Sequence, residues 1–473
     1  MCSIERVKSA TTGQPRSGKG SGIRHAVMVP ALAVWLVLAA GCGLRGPEDE
    51  FTGEPYLIVW AGDADRRHPD FLAVVDAHPR SPTYGVVVRT LPVGTAGNEP
   101  HAMERTFAPD GLVFAAGMLT DRTFVFDVRD PTTPRIAHVD EPDPTRRYGT
   151  PRAFLRIANG NRVATCGDRR GYRGGVLEML RWAGGLVEFD ARGRAVREID
   201  ASDPDAAGML TSPHGIAFSP ETRRLLLTDG GHGYTPTAFE WVPGSSIQLR
   251  EGVPGELLQT LPLGVGERGD ENLGPITAHL FRQGTRALVS TAEGAGLYAS
   301  QSIRSPTPVF DLVHDFGAGS LPGQAAVTPN GRFYLQTLTR ANRLEVFDVT
   351  DPMKPRLVDQ LRFDQAPGQR SEVLPGGPHA VALSVGGRRL AVANYTIDVP
   401  GRHVDGDRRV YLIDVNPQDG DVRFDRTFRD EYTGAVGIDF NRTVWPHGKT
   451  GPARPAAVLF VAPIAIPDGA SAM

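Results

Sequence analysis

Three cysteines in 473 residues, Cys2, Cys42 and Cys166, cannot build a disulfide framework, and they leave no Cys-x-x-Cys pair for a zinc knuckle or a redox dithiol. An excess of positive charge is also lacking. With 51 Lys and Arg against 54 Asp and Glu the net charge is −3, so a nucleic-acid partner gains no electrostatic support. The apolar tract AVMVPALAVWLVLAA (26–40) is too short for the ~20 residues that a bilayer-spanning helix needs. No Gly-x-Ser-x-Gly elbow and no phosphate-binding Gly-rich loop occur, which removes the hydrolases and nucleotide enzymes built on those turns. A long amphipathic helix pattern is missing too, so helix bundles are excluded.

What the chain has in quantity is glycine (55), proline (39) and short apolar runs separated by turns. The segments MLTSPHGIAFSPETRRLLLTD, FRQGTRALVST, AAVTPNGRFYLQTL and AVALSVGGRRLAVANY share one plan, strand–turn–strand. Several continue into a third strand that ends in aspartate, as in TFVFDVRDPTTPRIAHV (123–139) and RLEVFDVTDPMKPRLVDQL (343–361), and a fourth strand follows. Four antiparallel strands repeated every 50–60 residues or so is the pattern of an all-β propeller. Units begin near residues 101, 152, 214, 276, 324 and 379. YLIVWAG, FLAVVDA and GVVVRTL near the N-terminus supply three more strands, and AAVLFVAP near the C-terminus is an orphan. Joined, they make a seventh four-stranded blade closed by both chain ends, with six or eight blades as the neighbouring counts.

Residues 1–41 hold Arg6, Lys8, Arg16, Lys19 and Arg24 against Glu5, followed by the short apolar tract and Gly41-Cys42. That order is that of a secretory signal. LAAGC resembles the bacterial lipobox, with Ala39 where Leu is usual, and predicts lipidation at Cys42. The expected organisation is signal peptide 1–41, linker 42–55, β-propeller 56–465 and C-terminal tail 466–473. An exported product, held to the membrane of the cell envelope by its N-terminal lipid, would carry 46 basic and 53 acidic residues. Cys166, in RVATCGD, reads as a small buried hydrophobe.

Four of the 12 histidines follow proline, where about one would by chance: His101, His214, His379 and His447. His214 and His379 occupy one slot at the start of a unit's first strand, and His101 falls two residues further from its turn, as a β-bulge allows. The first strand of a propeller blade lines the central channel, so equivalent slots converge. Two or three neutral imidazoles around one point suit copper or zinc. The bland alternative is a loop-ending Pro-His whose ring bonds a neighbouring carbonyl. His447 precedes the last strand by a longer segment and is the weaker fourth candidate. Ile276 fills the slot of the unit that begins near 276, and register turns His279 to the opposite face.

PDFLAVVDAHPRSPTYGVVVRTLPV (69–93) followed by NEPHAMERTFAPDG (98–111) resembles the opening of the selenium-binding protein, or methanethiol oxidase, family. GGLVEFDARGRAVREID, FDVTDPMKPRLVDQL and GGPHAVALSVGGRRLAVANY continue the likeness in the same order. The resemblance implies a seven-bladed propeller. In bacterial members it implies copper-dependent oxidation of methanethiol by O₂ to formaldehyde, hydrogen sulfide and hydrogen peroxide. His101 matches the first of a paired histidine in the family, Ala102 replaces the second, and His279 aligns with another family histidine. A later Pro-His-x-x-His pattern reads here Pro151-Arg152-Ala153-Phe154-Leu155, and the selenium-linked cysteine is absent from TFAPDGLVFAAG.

The expectation is therefore a metal centre of His101, His214 and His379, with His447 and His279 as further candidates. Copper is the leading cofactor, with zinc or another transition metal behind it. The partner would be a small thiol or another small molecule, and the activity that of a methanethiol oxidase-type oxidoreductase. The alternative is a non-catalytic propeller that binds a metal, a small ligand or a protein.

Overall fold

The computed structural model describes residues 53–464 except 170–181, 207, 208, 210, 234–240, 369–376 and 400–401. The predicted signal segment, Cys42 and most of the linker lie outside the described residues. Seven antiparallel sheets of four strands, the last with the short Ile438–Asp439 added as a fifth, follow one another as the blades of a propeller. Blade 1 joins Tyr56–Asp63, Phe71–Asp76 and Val87–Pro92 to Ala453–Val461, which pairs along the free edge of Tyr56–Asp63 and supplies the innermost strand. Blades 2 to 7 then run in chain order. Their innermost strands are Pro100–Met103, Tyr148–Arg156, Pro213–Ser219, His279–Phe281, Pro322–Val327 and Ala380–Leu383. The seven-blade count and the closure by both chain ends thus stand as the sequence predicts.

The apolar runs are explained by where they pack. Each middle strand is covered on both faces by the neighbouring blades, so Phe71–Asp76 and Arg162–Asp168 are buried at every position and show no polar alternation. Outer strands meet water and turn polar, as in Ala195–Asp200 and Arg356–Arg362. Among the described residues each blade interface holds a hydrophobic cluster, and an eighth, with Ala292, Leu321, Ile397 and Val404, joins residues of several blades. The largest lies between blades 7 and 1 and includes Val59, Leu412 and Phe460. The smallest at an interface, between blades 3 and 4, is built on Val163, Leu186, Leu225 and Leu227. Cys166 sits in the layer between blades 2 and 3, where burial raises its thiol pKa far above the ordinary range.

The aspartates that end third strands have a local task. Asp127, Asp190 and Asp348 each accept the backbone N–H two residues on, from Arg129, Arg192 and Thr350, which starts the turn into the fourth strand. A polar clamp also crosses one interface. The fully buried guanidinium of Arg162 in blade 3 binds Glu104 at 3.0 Å and Asp110 at 2.8 Å, both from blade 2.

Closure depends on the Ala453–Val461 strand, which is buried throughout. Phe460 is 2% exposed, and the guanidinium of Arg389 lies 4.9 Å above its ring. Phe460→Ala is expected to cost about 3–5 kcal/mol by cavity formation. Chemical denaturation of wild type and variant measures it, and an unchanged midpoint contradicts the closure role.

Candidate functional site

The six unit starts read from the sequence, His101, Arg152, His214, Ile276, Gln324 and His379, all line one cavity of about 130 Å³ bounded by the inner strands. Two local features aim them there. The first is proline: Pro100, Pro151, Pro213, Pro275 and Pro378 stand immediately before five of these slots. An innermost strand has no partner on its axial edge, so a residue lacking an N–H is tolerated where the ladder is interrupted. The second is a bulge. Between Pro100 and Met103 three steps of the inner strand oppose two of its neighbour, Gly117 to Ala115, and the same extra residue occurs between Pro213 and Ile216 and between Pro322 and Ala325. Blade 3 carries two extra residues between Gly149 and Ala153. In blade 5 the N–H groups of Ile276 and Thr277 both point to Ser290 O, at 3.0 and 3.5 Å. Such bulges re-aim a side chain that would otherwise face the next blade.

The slots are also held from behind. Thr165 of blade 3 donates to His214 O at 2.6 Å, and Thr337 of blade 6 donates to His379 O at 3.0 Å. Buried carboxylates take the backbone N–H groups just ahead of the slots. Asp70 accepts from Asn98 at 2.7 Å, Asp229 accepts from Ser212 at 2.8 Å, and Asp121 accepts from Thr150. Glu99 and Thr150, each two residues before its slot, share a left-handed φ of +54°, a conformation that costs of order 1–3 kcal/mol and persists only where neighbours enforce it. Glycine makes room: a Cβ on Gly230 would stand 2.6 Å from the His214 Cβ.

His101 and His379, which flank blade 1, have ring centroids 6.0 Å apart at an interplanar angle of 31°. Two imidazoles sharing an ion at ~2.0–2.1 Å have centroids on the order of 5–6 Å apart, so this pair fits a common metal. His214 faces the same cavity, and its Nδ1 lies 3.2 Å from Ile276 O. A carbonyl there requires Nδ1–H, which leaves the lone pair on Nε2, the usual arrangement behind a ligating histidine. Burial above all, then the charges of Arg152, His101 and His379, hold the His214 pKa well below 6.5, so this ring is neutral. The His379 Nδ1 is 3.4 Å from Thr339 Oγ1, whose own proton goes to Pro378 O at 2.9 Å. Among the described residues no three His, Cys, Asp or Glu side chains stand together closely enough to hold one ion. The donor set thus fits an imidazole-ligated metal as a pair, with His214 across the same space.

The other two candidates lie elsewhere. His279 is off the cavity wall and stacks edge-on against Tyr334 at 5.6 Å, between blades 5 and 6. Burial and repulsion from Arg105 lower its pKa to about 3, and its Nε2 is buried without a hydrogen bond. His447 sits in the Val444–Lys449 hairpin at the rim of blade 1, bonded through Nδ1 to Thr90 at 2.7 Å and packed 4.9 Å from the Phe71 ring. Its outer-strand partners keep it off the cavity wall that His101, His214 and His379 share. Sequence reasoning did not single out Arg105, Gln324 or Trp241 as functional. Arg152 had a signal, since it follows proline at a unit start. Arg105 and Trp241, the latter on the short ribbon pairing His232–Gly233 with Trp241–Val242, had none.

The carboxylates behind the slots make a pH prediction. Burial raises Asp229 from 3.8 to about 6, against the opposing bonds from Ser212 and Ser246. The native state then keeps a proton that the unfolded chain releases, so this group's contribution to stability falls as pH rises from about 4 to about 6. Asp229→Asn imitates the neutral form. Its stability relative to wild type should improve by up to about 3 kcal/mol between pH 4 and pH 7, because each tenfold gain in proton affinity is worth ~1.4 kcal/mol. Parallel denaturation curves at the two pH values test this, and a pH-independent difference refutes it.

No family model matches the chain. The methanethiol oxidase of Xenopus tropicalis is 23% identical over 415 residues, covering 74% of this chain and 82% of that protein. Selenium-binding protein 2 of Arabidopsis thaliana is 21% identical over 412 residues, covering 74% and 79%. In three dimensions the chain is similar to a hypothetical selenium-binding protein from Sulfolobus tokodaii, with a TM-score of 0.66 at 15% identity over 86% of this chain and 94% of that one. In sequence the chain is thus similar, at low identity, to methanethiol oxidases and selenium-binding proteins, and in architecture to a propeller of the same description.

Proposed function

We propose that the propeller is an exported, lipid-anchored oxidoreductase that binds copper between His101 and His379, with His214 facing the pair across the cavity, and oxidises a small thiol. The observation that carries this reading is the 6.0 Å approach of two imidazoles from separate blades on a cavity wall that also holds a neutral His214. Copper held there would supply the one chemistry the side chains lack, electron exchange between a thiol and O₂. The residues themselves do the rest. Carbonyl and hydroxyl partners on Nδ1 fix the orientation of His214 and His379. Apolar walls such as Met103, Phe154 and Ile397 keep the thiol's surroundings poor in water. The Asp70 and Asp229 bonds hold the strand entries rigid.

A second reading is a binding propeller without catalysis. It is favoured by Arg152, a fixed cation in a slot where the resemblance leads one to expect an imidazole, and by the absence among the described residues of a three-ligand cluster.

Metal analysis of protein purified without a His tag decides between them. About one copper per chain, lost in His101→Ala/His379→Ala, is the expected result for a site built on these imidazoles. Oxygen uptake with methanethiol should disappear with the metal. Copper-replete protein that consumes no O₂ supports the binding reading, and protein that takes up no copper removes the oxidase reading. Cys42→Ser should move the exported product from the membrane fraction to the soluble one, and retention in the membrane contradicts the lipid anchor.

A further inference from the structure

The cavity wall carries two guanidiniums besides the imidazoles. Arg152 fills the slot of blade 3. Its Nη1 contacts Ser212 Oγ at 2.9 Å and the carbonyl oxygens of Ser212, Pro213 and Gly231 at 3.3, 3.4 and 3.1 Å, and its guanidinium lies 5.7 Å over the Trp241 ring. Arg105, four residues past His101, reaches across to blade 6 and donates through Nη2 to Ala325 O. Both side chains are anchored and directed by these bonds. Among the described residues neither donates a hydrogen bond to a carboxylate, although Asp229, behind the wall, lies within electrostatic reach of Arg152, and the remaining N–H groups of both are open to the cavity rather than sealed in protein. Glu293, the one carboxylate on the described wall, pairs with neither. Two anchored cations against one anion, in a space withdrawn from bulk water, make an environment that a ligand anion completes.

The rest of the wall sets the shape of that ligand. Met103, Met118, Phe154, Ile276, Leu321 and Ile397 are apolar. The volume of about 130 Å³ is close to the ~150 Å³ cavity that holds a benzene-sized guest. An inorganic oxyanion would leave the apolar wall uncovered, and a purely apolar guest would leave the guanidiniums unpaired.

We propose that the cavity binds a small organic monocarboxylate of about five or six non-hydrogen atoms, its carboxylate held by Arg105 and Arg152 and its apolar body against the Met and Ile side chains. Combined with the reading above, this names the substrate class as a short mercaptocarboxylate. Only the thiol half rests on that reading, because the carboxylate half needs no metal.

The test uses the full chain stripped of metal by a chelator and titrated calorimetrically with propionate, 3-mercaptopropionate, propionamide and inorganic phosphate. Both carboxylates should bind, and the isosteric neutral amide should bind on the order of tenfold or more weakly. Arg152→Gln and Arg105→Gln should each weaken propionate by on the order of tenfold while leaving the weak amide binding unchanged. Equal binding of acid and amide, no binding of propionate, or phosphate binding as tightly as propionate overturns the assignment. If a variant does not fold, the acid-to-amide comparison on the native protein decides alone. Failure of copper to bind would remove the oxidase reading and leave this result standing, and the converse outcome is equally readable.

Discussion

The innermost strand of each blade has one hydrogen-bonding edge with no neighbour, because the next strand inward would have to occupy the axis. Everything at the site follows from how that edge is handled. Prolines ahead of five slots withdraw an N–H that has nowhere to go. The extra residues in the inner strands then turn one side chain per blade inward instead of toward the adjacent sheet. A strand in perfect register would send such a side chain into a layer between blades, like the one that Val163 and Leu225 fill between blades 3 and 4. The irregularity is what separates a lined cavity from a filled core.

The electrostatics of the cavity are unusual for a proposed metal site in that cations are already present. Desolvation keeps His214 neutral, whereas a guanidinium is a cation by its ordinary chemistry, and two of them share this wall. A copper ion added to the imidazoles would meet repulsion unless an anion arrived with it. Metal and acid would therefore bind cooperatively, each lowering the cost of the other. The carboxylates Asp70, Asp121 and Asp229 lie behind the wall, where each accepts a backbone N–H, Asp121 also pairs with Arg169, and Asp229 feels the charge of Arg152. Desolvation raises all three pKa values.

How much of this was legible beforehand depends on whether the signal was local. Turn residues and apolar runs revealed the blades, and the recurring Pro-His pairs marked the slots that His101, His214 and His379 occupy. The same position marked Arg152, Ile276 and Gln324 as unit starts, and the structure places them on the same wall. His447 was misleading because proline precedes it for another reason: it shapes a short hairpin at the rim. His279 had opposing indications, and the register argument described its place better than the alignment did. Arg105 could not be found from sequence. It lies outside any slot, and only the depth of the channel brings it from blade 2 to Ala325 of blade 6.

The strand 453–461 is the hub-side member of the sheet begun at residues 56–92. About 360 residues lie between them, which a ribosome adding ~5–20 residues per second takes about 20–70 s to make. Throughout that interval the first sheet exposes an unpaired edge of fully apolar composition, Leu57–Ala61. The nascent polypeptide is therefore an aggregation hazard until residue 461 arrives, and it needs a chaperone or a fast neighbouring blade to cover that edge. Any topology change that moved the closing strand earlier in the chain would shorten this exposure without altering a single contact at the hub.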